Sequence, residues 1–197
     1  MKRDRAHHEF EQFVAASGND LLRTGYLVVW DLGSAEDLVQ ECLFEVARRW
    51  PRVRTMEHPK ACARRVLVNL ALDDSKRRRR RHAELDLRDR GPVDDRPDES
   101  TARALGMVDT SSELIDALGA LAPRQRAALV LRYFEDLSEV QVAETMGCSV
   151  GTVKSTTSRA LDRLRAVLAS VQAANNSNDP QGITDTKGVT DDEPTRI

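Results

Sequence analysis

"LSEVQVAETMGCSVGTVKSTTSRALDRLR", Leu137 to Arg165, is the stretch whose reading decides the fold. Ser138 and Gln141 form S-x-x-Q, the spacing at which a hydroxyl caps a helix and the glutamine side chain reaches back to the capping residue's amide. Val140, Val142, Ala143 and Met146 supply the apolar positions of a short helix. Gly147 then permits the left-handed backbone that ends one. Ser149 caps a second helix. Its inward face is Val153, Ala160, Leu161, Leu164 and Leu168, and its outward face is Thr152, Lys154, Ser155, Ser158, Arg159 and Arg163. Helix, tight turn, helix, with the second helix short-chained, polar and basic outside, suits a DNA major groove: first-turn residues near base edges, amides and cations on phosphates. An ordinary helical hairpin with a solvated face has a similar pattern, and Thr156 and Thr157 are poor helix formers. The local pattern leaves both readings open.

Outward from this stretch the period stays helical. Pro123 opens a preceding helix with Ala127, Val130, Leu131 and Phe134 inward, and before it Leu114, Ile115, Leu118 and Leu121 follow Glu113. "GPVDDRPDEST", Gly91 to Thr101, breaks the pattern and reads as a flexible linker. It lies in a segment, Ala83 to Ser112, with Glu84, Asp86, Asp89, Asp94, Asp95, Asp98, Glu99 and Asp109 against Arg88, Arg90, Arg96 and Arg103. Upstream, Leu38, Val39, Cys42, Leu43, Val46 and Trp50 recur at spacings of three and four. Ser34 is the expected N-cap there and Pro51 the expected stop. Phe10, Phe13, Val14, Leu21, Leu22 and Tyr26–Trp30 read as one or two more helices, and Pro59 opens another through Val66, Leu67 and Leu70. No useful length alternates as a half-buried strand does. The predicted fold is all-α: two small helical domains joined by a flexible acidic linker, the second a helix-turn-helix domain. The expected divisions are 1–82, the linker 83–112, 113–170 and a disordered tail 171–197.

Composition bounds the function. The 197 residues are 40% hydrophobic, 31% charged and only 4% aromatic, so the core must be mostly Leu, Val and Ala. No apolar stretch approaches the roughly 20 residues of a membrane span. The start, "MKRDRAHHEF", has no secretory pattern. Cys42, Cys62 and Cys148 form no C-x-x-C pair, and His7, His8, His58 and His82 show no ligand spacing. The expectation is therefore a cytoplasmic protein with buried thiols, no metal and no cofactor. There is no phosphate loop and no nucleophile–base pair, so nothing points to an enzyme.

The formal net charge is −2, yet "SKRRRRRH", Ser75 to His82, concentrates six cations in one run. The run continues from a helix end, where cations suit the last carbonyls. It reads as positioning charge for a polyanion, giving affinity with little sequence information. A solvated polybasic patch, or contact with anionic lipid, is the alternative.

Taken together, these stretches resemble an extracytoplasmic-function (ECF) sigma factor of bacterial RNA polymerase, in the sigma-70 superfamily and of the actinobacterial sigma-E-like type. "SAEDLVQECLFEVARRW" resembles the segment that docks on the polymerase clamp. "HPKACARRVLVNLALDDSKRRRRR" resembles the segment that handles the −10 element. "LGALAPRQRAALVLRYFEDLSEVQVAETMGCSVGTVKSTTSRALDRLR" resembles the domain that reads the −35 element. The resemblance spans roughly Phe10 to Arg81 and Glu113 to Leu168.

The resemblance implies three sets of site residues. Asp37, Leu38, Gln40 and Glu41 would bind core polymerase; Asp37, Gln40 and Glu41 share one side of a helix and offer carboxylates and an amide to an Arg-rich partner. Arg64, Arg65, Asn69, Lys76, Arg77, Arg78, Arg79, Arg80 and Arg81 would serve the −10 element. Asn69, with donor and acceptor, would read an extruded base. Ser149, Gly151, Thr152, Lys154, Ser155, Ser158 and Arg159 would serve the −35 element. The implied partners are core RNA polymerase through its clamp and flap surfaces, promoter DNA, and an anti-sigma factor, with no small-molecule substrate. The linker would run through the polymerase's basic channel.

Two places depart from the family pattern: Cys62 and Ala63 stand where members carry Trp-Leu, and Thr156 and Thr157 where they carry Arg-Leu or similar. No aromatic residue lies between Trp50 and Tyr133. Stacking unpaired bases on aromatics yields about 1–3 kcal/mol per base, so a chain without that platform is expected to open only promoters matching well at both elements. A stand-alone helix-turn-helix regulator, binding a palindrome as a dimer, is the rival reading.

Overall fold

The computed structural model describes residues 2–84 and 112–177. The linker expected over 83–112 thus lies outside the described residues except at its ends, as do residues 178–197 of the expected tail and the side chains of Arg79 and Arg81. Among the described residues every regular element is helical.

The first domain is α1 (Lys2–Val29), α2 (Leu32–Arg48), the single turn α3 (Trp50–Val53) and α4 (Pro59–Glu84). Helix α1 is one helix where the sequence allowed two. Gly18 disfavours a helix interior by roughly 1 kcal/mol, but the apolar face passes it unbroken: Phe10 and Phe13 pack on Trp50 at ring distances of 5.2 and 5.1 Å, and Leu21 is buried beyond. The chain leaves α1 at Trp30, whose φ of 62° is the left-handed region that bulky residues avoid. Asp31, not Ser34, then caps α2: its carboxylate accepts from the Ser34 amide at 3.2 Å and from the Ser34 hydroxyl. An ionised acceptor suits the helix's positive end better than a hydroxyl three residues inside it. Pro51 does not simply stop α2, which ends at Arg48. It sits in the first turn of α3, where its missing N–H has no intrahelical partner to lose. Helices α1, α2 and α4 bury Tyr26, Val39, Cys42, Val46, Leu67 and Val68 between them.

The second domain is α5 (Ser112–Gly119), α6 (Pro123–Leu129), a π-type turn continuing it over Val130–Phe134, α7 (Glu139–Met146) and α8 (Val150–Ser177). The π turn is closed by the Glu135 amide on the Val130 carbonyl at 3.0 Å, and Asp136 leaves it with φ 49°. In this domain the expected caps are present. Ser138 N–H donates to the Gln141 side chain at 2.9 Å, Gln141 N–H donates to Ser138 Oγ at 3.3 Å, and Gly147 has φ 60°. Ser149 Oγ accepts from the Thr152 amide at 3.1 Å. Helix α8 runs past residue 170 to Ser177.

The two domains also pack on each other. Helix α6 and the π turn lie against α1, and α7 lies against α4. Val130, Leu131, Val142 and Met146 join one buried cluster with Leu27, Leu67 and Val68. At the seam, the Arg126 guanidinium is buried. It donates to the Val28 carbonyl at 2.9 Å and the Gly119 carbonyl at 3.1 Å, and it lies 5.4 Å from the Trp30 ring.

Candidate nucleic-acid interface

The turn between α7 and α8 presents the first turns of α8 to solvent. Ser149, Gly151, Thr152, Lys154, Ser155, Ser158 and Arg159 are all exposed, while Val153 and Ala160 anchor the opposite side in the core. The Ser149 and Thr152 hydroxyls stand 2.8 Å apart, and Ser155 Oγ donates to the Thr152 carbonyl at 3.1 Å. Lys154 lies 3.5 Å from Glu139, with both side chains well hydrated. Thr156 and Thr157 are half-buried. They help seat the helix rather than forming its outer face, which is how two poor helix formers are carried within it: tertiary packing overrides propensity.

Helix α4 carries the second set. Arg65, Asn69, Lys76, Arg77, Arg78 and Arg80 are exposed. At 100° per residue, the exposed Lys76, Arg77, Arg78 and Arg80 spread around the helix rather than forming one stripe. Some are already engaged. Lys76 pairs with Asp73 at 2.8 Å, and that hydrogen bond holds the Asp73 carboxyl below its usual range. Arg78 pairs with Asp74 at 2.6 Å and lies 3.8 Å from Asp31. Arg64 differs from the rest. Its side chain is only 12% exposed and is paired with Glu135 of the second domain at 2.6 Å, so in this arrangement it does not face solvent.

The acidic set lies on α2. Asp37, Gln40 and Glu41 are exposed on one side of the helix. Leu38 is not: at 7% exposure it packs into the core, because it lies on the same apolar stripe as Cys42 and Val46. Its contribution to this surface is to seat the helix. Sequence reasoning missed Phe44, which is 64% exposed. Its spacing of seven from Asp37 was the available signal, since positions at three, four and seven share a helix face.

Cys42, under that face, donates its thiol to the Ala63 carbonyl at 3.2 Å, and burial pushes the thiol up to about 12. The Ala63 at this contact is itself fully buried. No cluster among the described residues has the make-up to hold a metal ion, and none of their helices is long and apolar enough to cross a membrane.

Comparison with known proteins matches both domains. Residues 13–81 match the family model for Sigma-70 region 2, and residues 111–164 match that for Sigma-70, region 4. The RNA polymerase sigma-E factor of Streptomyces coelicolor is 36% identical over 160 residues, covering 81% of this chain and 86% of that one. The RNA polymerase sigma factor SigV of Bacillus subtilis is 28% identical over 149 residues, covering 76% and 84%. Among solved structures, the sigma factor RpoE of Bartonella quintana, in complex with the anti-sigma factor NepR, superposes with a TM-score of 0.65 at 26% identity. That match covers 82% of this chain and 97% of that one.

Proposed function

The chain belongs to the sigma-70 family of RNA polymerase sigma factors, and from that premise we propose how its surfaces share the work of an alternative sigma factor. It binds core RNA polymerase and directs promoter-specific initiation. The Asp37–Gln40–Glu41 stripe, extended by Phe44, docks on a basic surface of the polymerase clamp. Carboxylates and an amide on one helix face suit guanidinium donors, and an exposed aromatic beside them suits an interface anchor. Asn69 reads the −10 element, with Arg65, Lys76, Arg77, Arg78 and Arg80 along the phosphates. The first two turns of α8 read the −35 element from the major groove. The polymerase carries out the chemistry; this chain positions and opens the DNA. It works where polymerase and chromosome are, in the bacterial cytoplasm and on the nucleoid. An anti-sigma factor is a further partner, by likeness to the neighbour solved with one.

The observation that carries this reading is the conjunction, in one chain, of an acidic docking stripe on α2, a cationic α4 and an exposed polar face on α8. A stand-alone regulator needs only the last. Co-elution with core polymerase tests it. Asp37→Lys together with Glu41→Lys should abolish co-elution while leaving the helical circular dichroism unchanged, and undiminished binding by that variant would refute the docking assignment.

A further inference from the structure

We infer that Thr152 and Ser155 read opposite polarities on the base edges: Thr152 presents a hydroxyl proton to a base acceptor, and Ser155 presents only lone pairs, to an exocyclic amine. This rests on the reading of α8 as the helix that meets the −35 element, and adds which base atoms each hydroxyl takes.

A hydroxyl has one proton and two lone pairs, so the destination of the proton decides what its outer side can bind. Ser155 Oγ donates to the Thr152 carbonyl at 3.1 Å, one turn back on its own helix. That carbonyl is already fixed by the helix, and back-bonding of this kind is a regular habit of serine within helices. In a groove that excludes water the proton stays on that acceptor, because an unpaired hydroxyl proton is costly there. Ser155 is exposed, and what it turns outward is therefore an acceptor. The major-groove atoms that match it are the amines of adenine, N6, and cytosine, N4.

Thr152 has the opposite bias. The Ser149 hydroxyl oxygen accepts from the Thr152 amide at 3.1 Å and stands 2.8 Å from the Thr152 hydroxyl. An oxygen that already accepts from an N–H is polarised into a better donor, so the shared proton runs from Ser149 to Thr152. The Thr152 proton is then left for an outside acceptor: N7 of a purine, O6 of guanine or O4 of thymine. Ser149 is thus a positioning residue. A side chain at Gly151 would begin 3.8 Å from Ser149 Oγ, so glycine there leaves the approach to the pair open. Thr152 and Ser155, three positions apart, have Cβ atoms roughly 5–6 Å from each other, and base pairs rise about 3.4 Å. The two bases they read therefore lie on adjacent or next-but-one pairs.

Base analogues that each delete one groove atom test these polarities in the holoenzyme. A promoter that it transcribes is remade with a single analogue at each −35 position in turn: a 7-deazapurine lacks N7, 2-aminopurine lacks the group at position 6, and a 2-pyrimidinone lacks the group at position 4. One amine deletion should weaken binding about fivefold, the worth of one hydrogen bond, with the original chain and not with Ser155→Ala. One acceptor deletion close beside it should do the same with the original chain and with Thr152→Ser, which keeps the hydroxyl, but not with Thr152→Val. Both positions are exposed, and co-elution with core polymerase shows that each variant is folded. Ser155 coupled to an acceptor, Thr152 coupled to an amine, either residue coupled to no base, or couplings more than two pairs apart would each overturn the assignment. If the unaltered holoenzyme shows no promoter preference, the reading of α8 itself fails, and the polarities with it.

Discussion

Replacing Arg77 and Arg80 together with glutamine isolates the work of the cationic run. Both side chains are exposed, and three residues apart they lie on neighbouring sides of α4. Each phosphate contact steepens the fall of log K with log salt by about 0.9. Losing two should make the slope shallower by about 1.8. Between 50 and 200 mM salt, a fourfold change, the original protein should then lose about tenfold more affinity than the variant does. Arg78 should count for less. It is tied to Asp74 at 2.6 Å and lies near Asp31, so freeing it for a phosphate gives up existing pairs. The assay is fluorescence anisotropy of a labelled promoter fragment with the reconstituted holoenzyme, titrated at several salt concentrations. Ranking among promoter sequences should not change, because phosphates carry no sequence information. An unchanged slope would refute the phosphate assignment. So would a loss confined to particular −10 bases, which would make these arginines base readers.

Other consequences are as direct. Phe44→Ala should weaken core polymerase binding about tenfold, the loss typical of a modest interface anchor, read by titration against labelled core. Gly147→Ala forces alanine into the left-handed region at φ 60° and should cost about 1–2 kcal/mol. Ser138→Ala, which removes a cap, should cost about 1 kcal/mol; denaturant unfolding of the full chain measures both. The Cys42 thiol, buried and raised to about 12, stays protonated and inaccessible at pH 8. Maleimide should therefore reach Cys62 and Cys148 first and Cys42 only on unfolding, as intact mass will show. Transcription from single-base −10 variants should drop sharply, since α4 offers no aromatic stacking platform; broad tolerance would count against that.

How much was legible in the sequence follows from the range of the interactions. The α7–turn–α8 unit is built from caps and a glycine within a dozen residues, and Ser138, Gln141, Gly147 and Ser149 all act as their spacing predicts. The start of α2 was harder, because Asp31 and Ser34 are both cap residues with a polar partner three positions on. The choice fell to Asp31 where the chain turns at Trp30, a turn set by packing. The domain seam was not legible at all. Arg126 sits in "PRQRAAL", a helix start whose inward position was read as Ala127, with no local signal that the neighbouring arginine is buried. Its burial depends on Val28, 98 positions away, and Glu135 meets Thr24 across 111. Asp37, Gln40, Glu41 and the α8 face were legible as faces because helical period alone sorts them. Leu38 and Arg64 were drawn in by resemblance, and packing turned each inward.

Run-off transcription tests most directly whether this chain gives core polymerase its promoter choice. Core RNA polymerase with the purified chain and fragmented genomic DNA should yield transcripts starting a fixed distance below paired −35 and −10 elements, absent when the chain is omitted. No new transcript, with tight dimeric binding to a palindrome by the chain alone, would contradict it.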